Sequence, residues 1–376
     1  MPGDVTPPPI ASPQANLQTK IGPANRARGG GVTALPQPTL ARRGAVALRE
    51  AIRMVDASTR AATVVGYGAM GREYVKALRA LNVGTVRVVS RSAEPLLDLN
   101  GVPGVATIAG GYRQLTAQAA DEEVGIVATP IEELMAAAEH LIACGFRRLL
   151  IEKPVALSAD AVERLADRCE RADVDAACAF NRVAYPSLIE ASARIAADGG
   201  ATSCAYEFTE MIRPEWLTRF STATLSRWGV ANSLHVLSMA HGLIGLPKTV
   251  SAYRAGRLAW HPSGAQFVGA GLSERGIPFS YSADWGSAGR WGVEARSAAA
   301  AYRLSPLETL MMKTSPTGEW HAVPLAAAYP QVKAGIVEQV AAMMDERARA
   351  QVALVPLRQA CALLRFGASV FGYEHD

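Results

Sequence analysis

Residues 62–81, ATVVGYGAMGREYVKALRAL, carry the strongest indication of the fold of the chain. A β-branched run ends in the pattern Gly66-x-Gly68-x-x-Gly71, and a helical period begins inside that pattern. In such a turn the first glycine allows a tight bend, the second lets backbone approach a pyrophosphate, and the third lets helix and strand pack closely. The helix N-terminus then presents free N–H groups to the phosphates. We therefore predict a dinucleotide-binding turn made by Gly66, Tyr67, Gly68, Ala69, Met70 and Gly71.

The end of the next predicted strand, VVSRSAEP at 88–95, bears on the choice of cofactor. A carboxylate at this place binds the ribose 2′-hydroxyl of NAD, whereas arginine suits the 2′-phosphate of NADP. Here Ser90, Arg91 and Ser92 stand where an acid is expected. Arginine can pair with phosphate through two N–H groups, and serines can donate to it. The sequence therefore predicts NADP in preference to NAD.

Strand-like runs alternate with helical periods as far as residue 182. After the glycine turn the runs are VRVVS (86–90), EVGIVATP (123–130), RRLLIEKP (147–154) and DAACAFNR (175–182). Alternation of this kind is typical of right-handed βαβ units that form a parallel sheet covered on both faces. We predict an α/β fold whose Rossmann domain, a doubly wound parallel sheet, spans residues 59–180.

The pattern changes after about residue 182. Short alternating runs separated by Gly, Pro and Ser predict a large, mostly antiparallel sheet, with helical segments between and after them. We assign residues 181–376 to an α+β domain for substrate binding and oligomerisation.

The first 58 residues form an N-terminal extension. Residues 1–38 are rich in Pro, Gly, Ala, Gln and Asn and predict disorder, because they can bury little apolar surface. Residues 39–57 have apolar side chains at loosely helical spacing and predict one short surface helix. An alternative is that Met54 begins the working protein.

Composition limits the function classes. The 376 residues are 49% hydrophobic with a net charge of +4, and no basic block supports nucleic-acid binding. The five scattered cysteines lack zinc-site spacing, so we predict reduced thiols, no metal site and a cytoplasmic protein. No apolar run is long enough for a membrane span. Paired Arg42 and Arg43 are not followed by the uninterrupted apolar segment of an export signal.

Four ordered motifs carry a resemblance to a known family. VVGYGAMG, GIVATP, CGFRRLLIEKPVALS and AFNR occur in the order and spacing of the glucose–fructose oxidoreductase, inositol dehydrogenase and rhizopine-catabolism (Gfo/Idh/MocA) family. The resemblance covers roughly residues 60–190 closely and the rest of the chain more loosely. It implies an NAD(P)-dependent oxidoreductase that acts on CH–OH groups.

The resemblance also implies roles for individual residues. Lys153, at the end of its strand, would contact the substrate hydroxyl and help to move its proton. A lysine at the end of a buried strand suits this role, since burial lowers its pKa, although Glu152 opposes that effect. An ion pair between the two is the structural alternative. The cofactor contacts implied near the nicotinamide are Ala128, Thr129, Pro130, Glu152, Lys153, Pro154 and Asn181.

The second domain of the family often carries an aspartate four residues before a histidine. Here the segment GVANSLHVLSMAHGLIG places His235 at the histidine, but Ala231 stands at the aspartate. The nearest polar group is Asn232. We predict His235 as the second proton carrier, because its ordinary pKa near 6.5 suits proton transfer. His241 is interpreted as a structural histidine.

The substrate and partners are predicted from neighbouring residues. The candidate substrate contacts are Arg182, Tyr185, Trp228 and Asn232, and a following loop adds Arg213, Trp216, Arg219 and Arg227. Arginines and aromatic faces suit a sugar, a polyol or a nucleotide sugar. An open sheet face predicts a homodimer or homotetramer. Two alternatives remain open: an NAD-dependent glycosidase of the same family, and a non-catalytic dinucleotide-binding sensor or assembly protein.

Overall fold

The computed structural model describes residues 44–325 and 327–373. Its first half contains the strands β1 (Ala61–Val65), β2 (Thr85–Ser90), β3 (Val105–Ala109), β4 (Val124–Val127), β5 (Arg148–Glu152) and β6 (Asp175–Ala179). The helices of this half are α1 (Ala45–Arg53), α2 (Ala69–Ala80), α3 (Ile131–Ala143) and α4 (Ala159–Arg171). This is the predicted alternation of strand and helix.

The second half contains β7 (Ala201–Glu207), β8 (Pro247–Ala255), β9 (Gln266–Ser273), β10 (Pro278–Asp284), β11 (Gly292–Ser297), β12 (Ala301–Leu304), β13 (Met311–Lys313), β14 (His321–Ala322) and β15 (Val355–Pro356). Its helices are α5 (Pro186–Ala197), α6 (Pro214–Arg219), α7 (Thr222–Ser226), α8 (Leu234–Ile244), α9 (Ile336–Met344), α10 (Glu346–Arg349) and α11 (Leu357–Phe371).

Two sheets result. The first has the order β15-β6-β5-β4-β1-β2-β3 among the described residues, and every pair is parallel except β15 with β6. The second has the order β14-β13-β12-β11-β7-β10-β9-β8, and only β7 with β10 is parallel. The predicted fold class is confirmed. In the described part of the chain, no helix is long and apolar enough to cross a membrane.

The sequence of helix α4 explains where this helix begins and which of its faces is buried. Helix α4 begins at Ser158, whose hydroxyl accepts the N–H of Ala161 at 3.2 Å, as expected of an N-cap residue. Its buried positions include Val162, Leu165 and Cys169, which recur at three- to four-residue spacing and therefore share one face. This face is packed in the core with β5 and β6.

The order of strands in the first sheet positions the site. Because β1, β4 and β5 are parallel neighbours, their carboxyl ends meet at one edge. That edge receives the glycine turn after β1, residues 128–130 after β4, and Lys153 after β5. Ligands of open α/β sheets bind at this edge.

Segments from both ends of the described chain pack against the predicted Rossmann domain. Residues 1–43 of the predicted N-terminal extension lie outside the described residues, whereas Ala45–Arg53 form a helix with Leu48 and Ile52 buried. From the opposite end of the sequence, β15 adds an antiparallel strand to the first sheet. Residues of α9 belong to the same buried core as β1 and α2.

Candidate functional site

The glycine turn has the space that a pyrophosphate needs. Gly66 has a φ of +99°, and a Cβ there would lie 2.4 Å from the carbonyl oxygen of Ala128. A Cβ on Gly71 would lie 1.9 Å from the carbonyl oxygen of Gly66. A Cβ on Gly68, in contrast, would meet nothing within 4 Å. The first and third glycines are therefore required by packing, while the second leaves an open approach to the backbone.

The surroundings of the turn also fit a dinucleotide. The first turn of α2 carries no acidic residue, so nothing in it opposes an anion at the helix N-terminus. Thr129, which follows β4, has a buried hydroxyl with no hydrogen-bond partner. Arg72 stacks over the ring of Tyr67 at 4.5 Å and pairs with Asp98. An open backbone cradle beside an unsatisfied hydroxyl is what a bound cofactor would complete.

The end of β2 carries the predicted cofactor-selecting residues. Ser90 is buried, and its carbonyl accepts the N–H of Gly111 at 2.9 Å. Arg91 and Ser92 are exposed, and within the described residues Arg91 makes no ion pair. The guanidinium therefore remains available to an anionic ligand.

The EKP run does not form the strand-end ion pair. Glu152 is buried, and its carboxylate accepts the hydroxyl of Tyr74 from α2 at 2.7 Å. The ammonium of Lys153 instead donates to the carbonyl oxygen of Ala231 in the second half of the chain. Glu152 thus fastens β5 to the glycine-turn helix, and Lys153 reaches across to the second half of the chain. The region where the two halves meet around Lys153, Arg182, Glu210, Asn232 and His235 is called the crevice.

The surroundings of Lys153 change its acidity. Burial lowers its pKa to about 8, with Glu152 opposing the effect and Arg182 adding to it. An amine with this pKa can exist in both protonation states near neutral pH. It can therefore accept a proton from an alcohol or donate one to a carbonyl oxygen.

His235 faces the same crevice from the first turn of α8. One π-helical turn, Gly229–Ser233, precedes that helix and contains the carbonyl of Ala231 that binds Lys153. The imidazole of His235 is buried, lies edge-on to Phe180 at 6.3 Å, and has no hydrogen-bond partner at Nδ1. Burial lowers its pKa well below the ordinary value, and the cations Arg182 and Lys153 lower it further. A neutral imidazole with an unsatisfied ring nitrogen results.

Residues after β6 complete the wall of the crevice. Asn181 is buried and donates to the carbonyl oxygen of Ala334 at 3.1 Å. Arg182 lies over the ring of Trp291 at 4.9 Å, and its Nε has no hydrogen-bond partner. The structure therefore brings Arg182, Lys153 and His235 into one electrostatically coupled group.

Glu210 lies beside these groups, although no sequence pattern predicted it there. Its Oε2 accepts the amide of Asn232 at 2.7 Å and the indole N–H of Trp228 at 3.3 Å. Burial raises its pKa, and these two bonds together with Arg182 and Lys153 oppose that rise. Its Oε1 has no hydrogen-bond partner among the described residues and is not fully buried. The crevice therefore contains a carboxylate although position 231 lacks one.

Two predicted substrate contacts, Trp228 and Tyr185, are buried. Trp228 is only 3% exposed and packs against Trp216 with ring centroids 5.6 Å apart. Tyr185 is also 3% exposed, and its hydroxyl donates to Glu308 at 3.5 Å. Both rings are packed inside the protein, and their contact with a substrate stays a prediction. Arg182 and Asn232 are half-buried and remain candidates.

His241 is structural, as interpreted from the sequence. It is buried, with Nδ1 2.9 Å from the carbonyl of Gly245 and Nε2 3.3 Å from the hydroxyl of Tyr206. The five cysteines are all buried free thiols. Within the described residues, no group of three or more His, Cys, Asp or Glu side chains is arranged to hold a metal ion.

Comparisons with solved structures identify the fold. The UDP-N-acetylglucosamine 3-dehydrogenase of Acidithiobacillus ferrooxidans matches with a TM-score of 0.65 and 16% identity, covering 83% of this chain and 96% of that one. A levoglucosan dehydrogenase in complex with NADH and L-sorbose matches with a TM-score of 0.64 and 14% identity, covering 83% and 96%. A protein of Desulfitobacterium hafniense that is described as an NADPH-dependent oxidoreductase matches with a TM-score of 0.66 and 14% identity, covering 83% of this chain and 94% of that one.

The family comparison covers the nucleotide-binding half. None of the curated protein sequences compared matches this chain. Residues 60–180 match the model of the Gfo/Idh/MocA family, described as an oxidoreductase family with an NAD-binding Rossmann fold. This segment contains the glycine turn, the loop after β4 and the EKP run. Residues 60–180 are therefore similar to the NAD-binding Rossmann domain of the Gfo/Idh/MocA oxidoreductase family.

Proposed function

We propose that this protein is an NAD(P)-dependent oxidoreductase that transfers a hydride between nicotinamide and a carbinol or carbonyl of a sugar, polyol or nucleotide sugar. The observation that carries the proposal is Lys153. Its ammonium stands at the carboxyl edge of the family's cofactor-binding sheet, and burial brings its pKa to about 8. A lysine that only stabilised the fold would not need a tuned proton affinity at this edge.

Lys153 and His235 have different roles at the reacting oxygen: Lys153 transfers the proton and His235 positions the oxygen. When bound, the nicotinamide supplies the hydride acceptor or donor. In alcohol oxidation, neutral Lys153 takes the proton of the carbinol hydroxyl as the C–H bond breaks; in carbonyl reduction, its ammonium returns a proton to the oxygen. His235 lies among cations that disfavour its protonation. We therefore assign the proton to Lys153 and propose that neutral His235 holds the substrate oxygen by a hydrogen bond.

The missing aspartate has a substitute in Glu210. Its Oε2 is fixed by Asn232 and Trp228, and its Oε1 is left to accept a substrate hydroxyl. Its charge also offsets the positive charges of Lys153 and Arg182, both of which lower its pKa. The carboxylate thus comes from the loop after β7 instead of from position 231.

The variant Glu210→Gln tests this assignment. The amide oxygen can still accept from Asn232 and Trp228, so the fold should be kept. Loss of one hydrogen bond to a charged group should lower kcat/KM for the sugar substrate roughly 10- to 100-fold. Because the raised pKa of Glu210 sets the pH below which its charge is lost, the variant should lose the acid limb of the kcat/KM profile. The control is Glu215→Gln in the first turn of the following helix, α6; equal profiles for both variants would refute the role of Glu210.

Arg91 supports the proposed preference for NADP. Its guanidinium is exposed at the end of β2, where the 2′-phosphate would lie. We expect Arg91→Ala to raise the Kd of NADPH roughly 10- to 100-fold and to leave NADH nearly unchanged, since only NADPH carries that phosphate. Fluorescence titration measures both constants, and exposed Arg257→Ala is the control. Equal effects on the two cofactors would contradict the assignment.

The substrate class is supported by the crevice itself. Glu210, Asn232 and Arg182 offer an acceptor, an amide and a cation suited to a polyhydroxylated or anionic ligand. Among the structural neighbours, one is named for UDP-N-acetylglucosamine and another is complexed with L-sorbose. The proposal is tested by following NADPH and NADH turnover with UDP-N-acetylglucosamine, other nucleotide sugars, levoglucosan and polyols. Cofactor binding with no turnover of any of them would favour a sensor.

We also propose self-association and a cytoplasmic location. The second sheet exposes apolar side chains, with Tyr253 63% exposed, Val268 54% and Leu272 45%. Exposed apolar area on a sheet favours a covering partner, and a second copy of this chain is the predicted one. The free thiols fit a reducing compartment.

A further inference from the structure

A segment of the second half of the chain lies directly on the glycine-turn helix. The backbone N–H of Lys333 donates to Oε2 of Glu73 on α2 at 3.1 Å. Its ammonium lies 3.4 Å from the sulfur of Met70, the second residue of that helix. Lys333 therefore stands at the N-terminus of α2, where the open approach over Gly68 is found.

Tight packing holds this segment in place on both sides of Lys333. Val332 is buried in the same core as β1 and α2. The carbonyl oxygen of Ala334 accepts the amide of Asn181. Gly335 has a φ of +80°, and a Cβ there would lie 1.9 Å from the carbonyl oxygen of Asn181. The backbone at Lys333 is thus fixed by its neighbours, while its side chain is exposed.

The ammonium of Lys333 makes no ion pair within 4 Å in the part of the chain that the structure describes. Its charge nevertheless reaches the reaction site, since it helps to lower the pKa values of Lys153 and His235 and opposes the rise that burial causes in the pKa of Glu152. The cation therefore lies beside the glycine turn and close enough to the end of β5 for its charge to act there.

We propose that Lys333 binds the pyrophosphate of the dinucleotide at the N-terminus of α2, beside the glycine turn. The cofactor would then be held by backbone N–H groups of the Rossmann domain and by a charged side chain of the second domain. Lysine serves well as a compact positive charge for phosphate. This inference rests on the proposed dinucleotide binding and assigns to the second domain a share in it.

The variant Lys333→Gln tests the inference. It keeps the backbone bond to Glu73 and removes only the charge, so thermal unfolding should match that of the wild type. We expect the Kd values of NADPH, NADH and ADP-ribose to rise together by roughly 10-fold or more, because all three contain the pyrophosphate. The salt dependence of binding should also weaken, since one charge contact is lost.

Two comparisons isolate the effect. Lys76→Gln removes an equal charge from the exposed side of the same helix and should leave all three Kd values unchanged. Arg91→Ala should weaken NADPH alone, whereas Lys333→Gln should weaken NADPH and NADH equally. Wild-type-like binding of ADP-ribose by Lys333→Gln overturns the inference and leaves the proposed function standing. Failure of the wild-type protein to bind any of the three ligands overturns both.

Discussion

Replacing Lys153 with methionine should slow hydride transfer by roughly 10²- to 10⁴-fold, the usual contribution of a positioned acid or base. Methionine keeps the length and the apolar part of the side chain but carries no proton. Because Lys153 contacts the reacting oxygen in this account and the pyrophosphate lies elsewhere, the Kd of NADPH should change little. Single-turnover kinetics at saturating cofactor separate the two effects.

The pH profile gives the same variant a second readout. With a pKa of about 8, Lys153 is increasingly neutral above that pH, so alcohol oxidation by the wild type should rise through about pH 8 and then level off. Carbonyl reduction should fall over the same range, because it needs the ammonium. Both dependences should disappear in Lys153→Met. An unchanged profile would show that another group carries the proton.

Replacing Gly68 with alanine should abolish tight cofactor binding without harming the fold. Gly68 has φ −82° and ψ −160°, which alanine adopts without strain, and its Cβ would meet nothing within 4 Å. The added methyl group would instead fill the space over the turn that the pyrophosphate needs. We expect the Kd of NADPH to rise at least about 100-fold, since a displaced phosphate loses several charge-assisted hydrogen bonds.

Two other glycines serve as matched controls for this variant. In Gly71→Ala the new Cβ would lie 1.9 Å from the Gly66 carbonyl oxygen, so unfolding should occur at a lower temperature. In Gly286→Ala the nearest atom is 3.4 Å from the new Cβ, so both stability and binding should be unchanged. Thermal unfolding with and without NADPH measures all three. Wild-type affinity in Gly68→Ala would contradict the placement of the pyrophosphate.

The elements found from sequence are those with strong local patterns. The strands ending in the glycine turn, the loop after β4 and EKP are buried apolar runs, so composition and length identify them. β3, in contrast, has an exposed edge position, and three of its five residues are exposed. β15 is only two residues long and is recognised as a strand only because it pairs with β6. Such elements are defined by tertiary contacts, which a local pattern does not encode.

The same distinction applies to the site. Lys153 and the three glycines belong to contiguous motifs and were found from sequence. Glu210 stands in a loop with no periodicity, and only the π-helical turn that carries Asn232 brings the two together. Lys333 reaches the glycine turn across more than 260 residues of sequence. Burial is likewise invisible in a local pattern: Trp228 and Tyr185, predicted as ligand contacts, are each only 3% exposed.

Hydride transfer can be followed directly as transfer of deuterium from NADPH labelled at nicotinamide C4 to the carbonyl form of the sugar substrate. If Lys153 carries the proton, the wild-type protein should deliver the label to the new carbinol carbon, and Lys153→Met should do so at least about 100-fold more slowly with cofactor fully bound. Equal rates of transfer by the two proteins would contradict the role of Lys153. Tight cofactor binding without transfer to any carbonyl compound of the panel would contradict the proposed function.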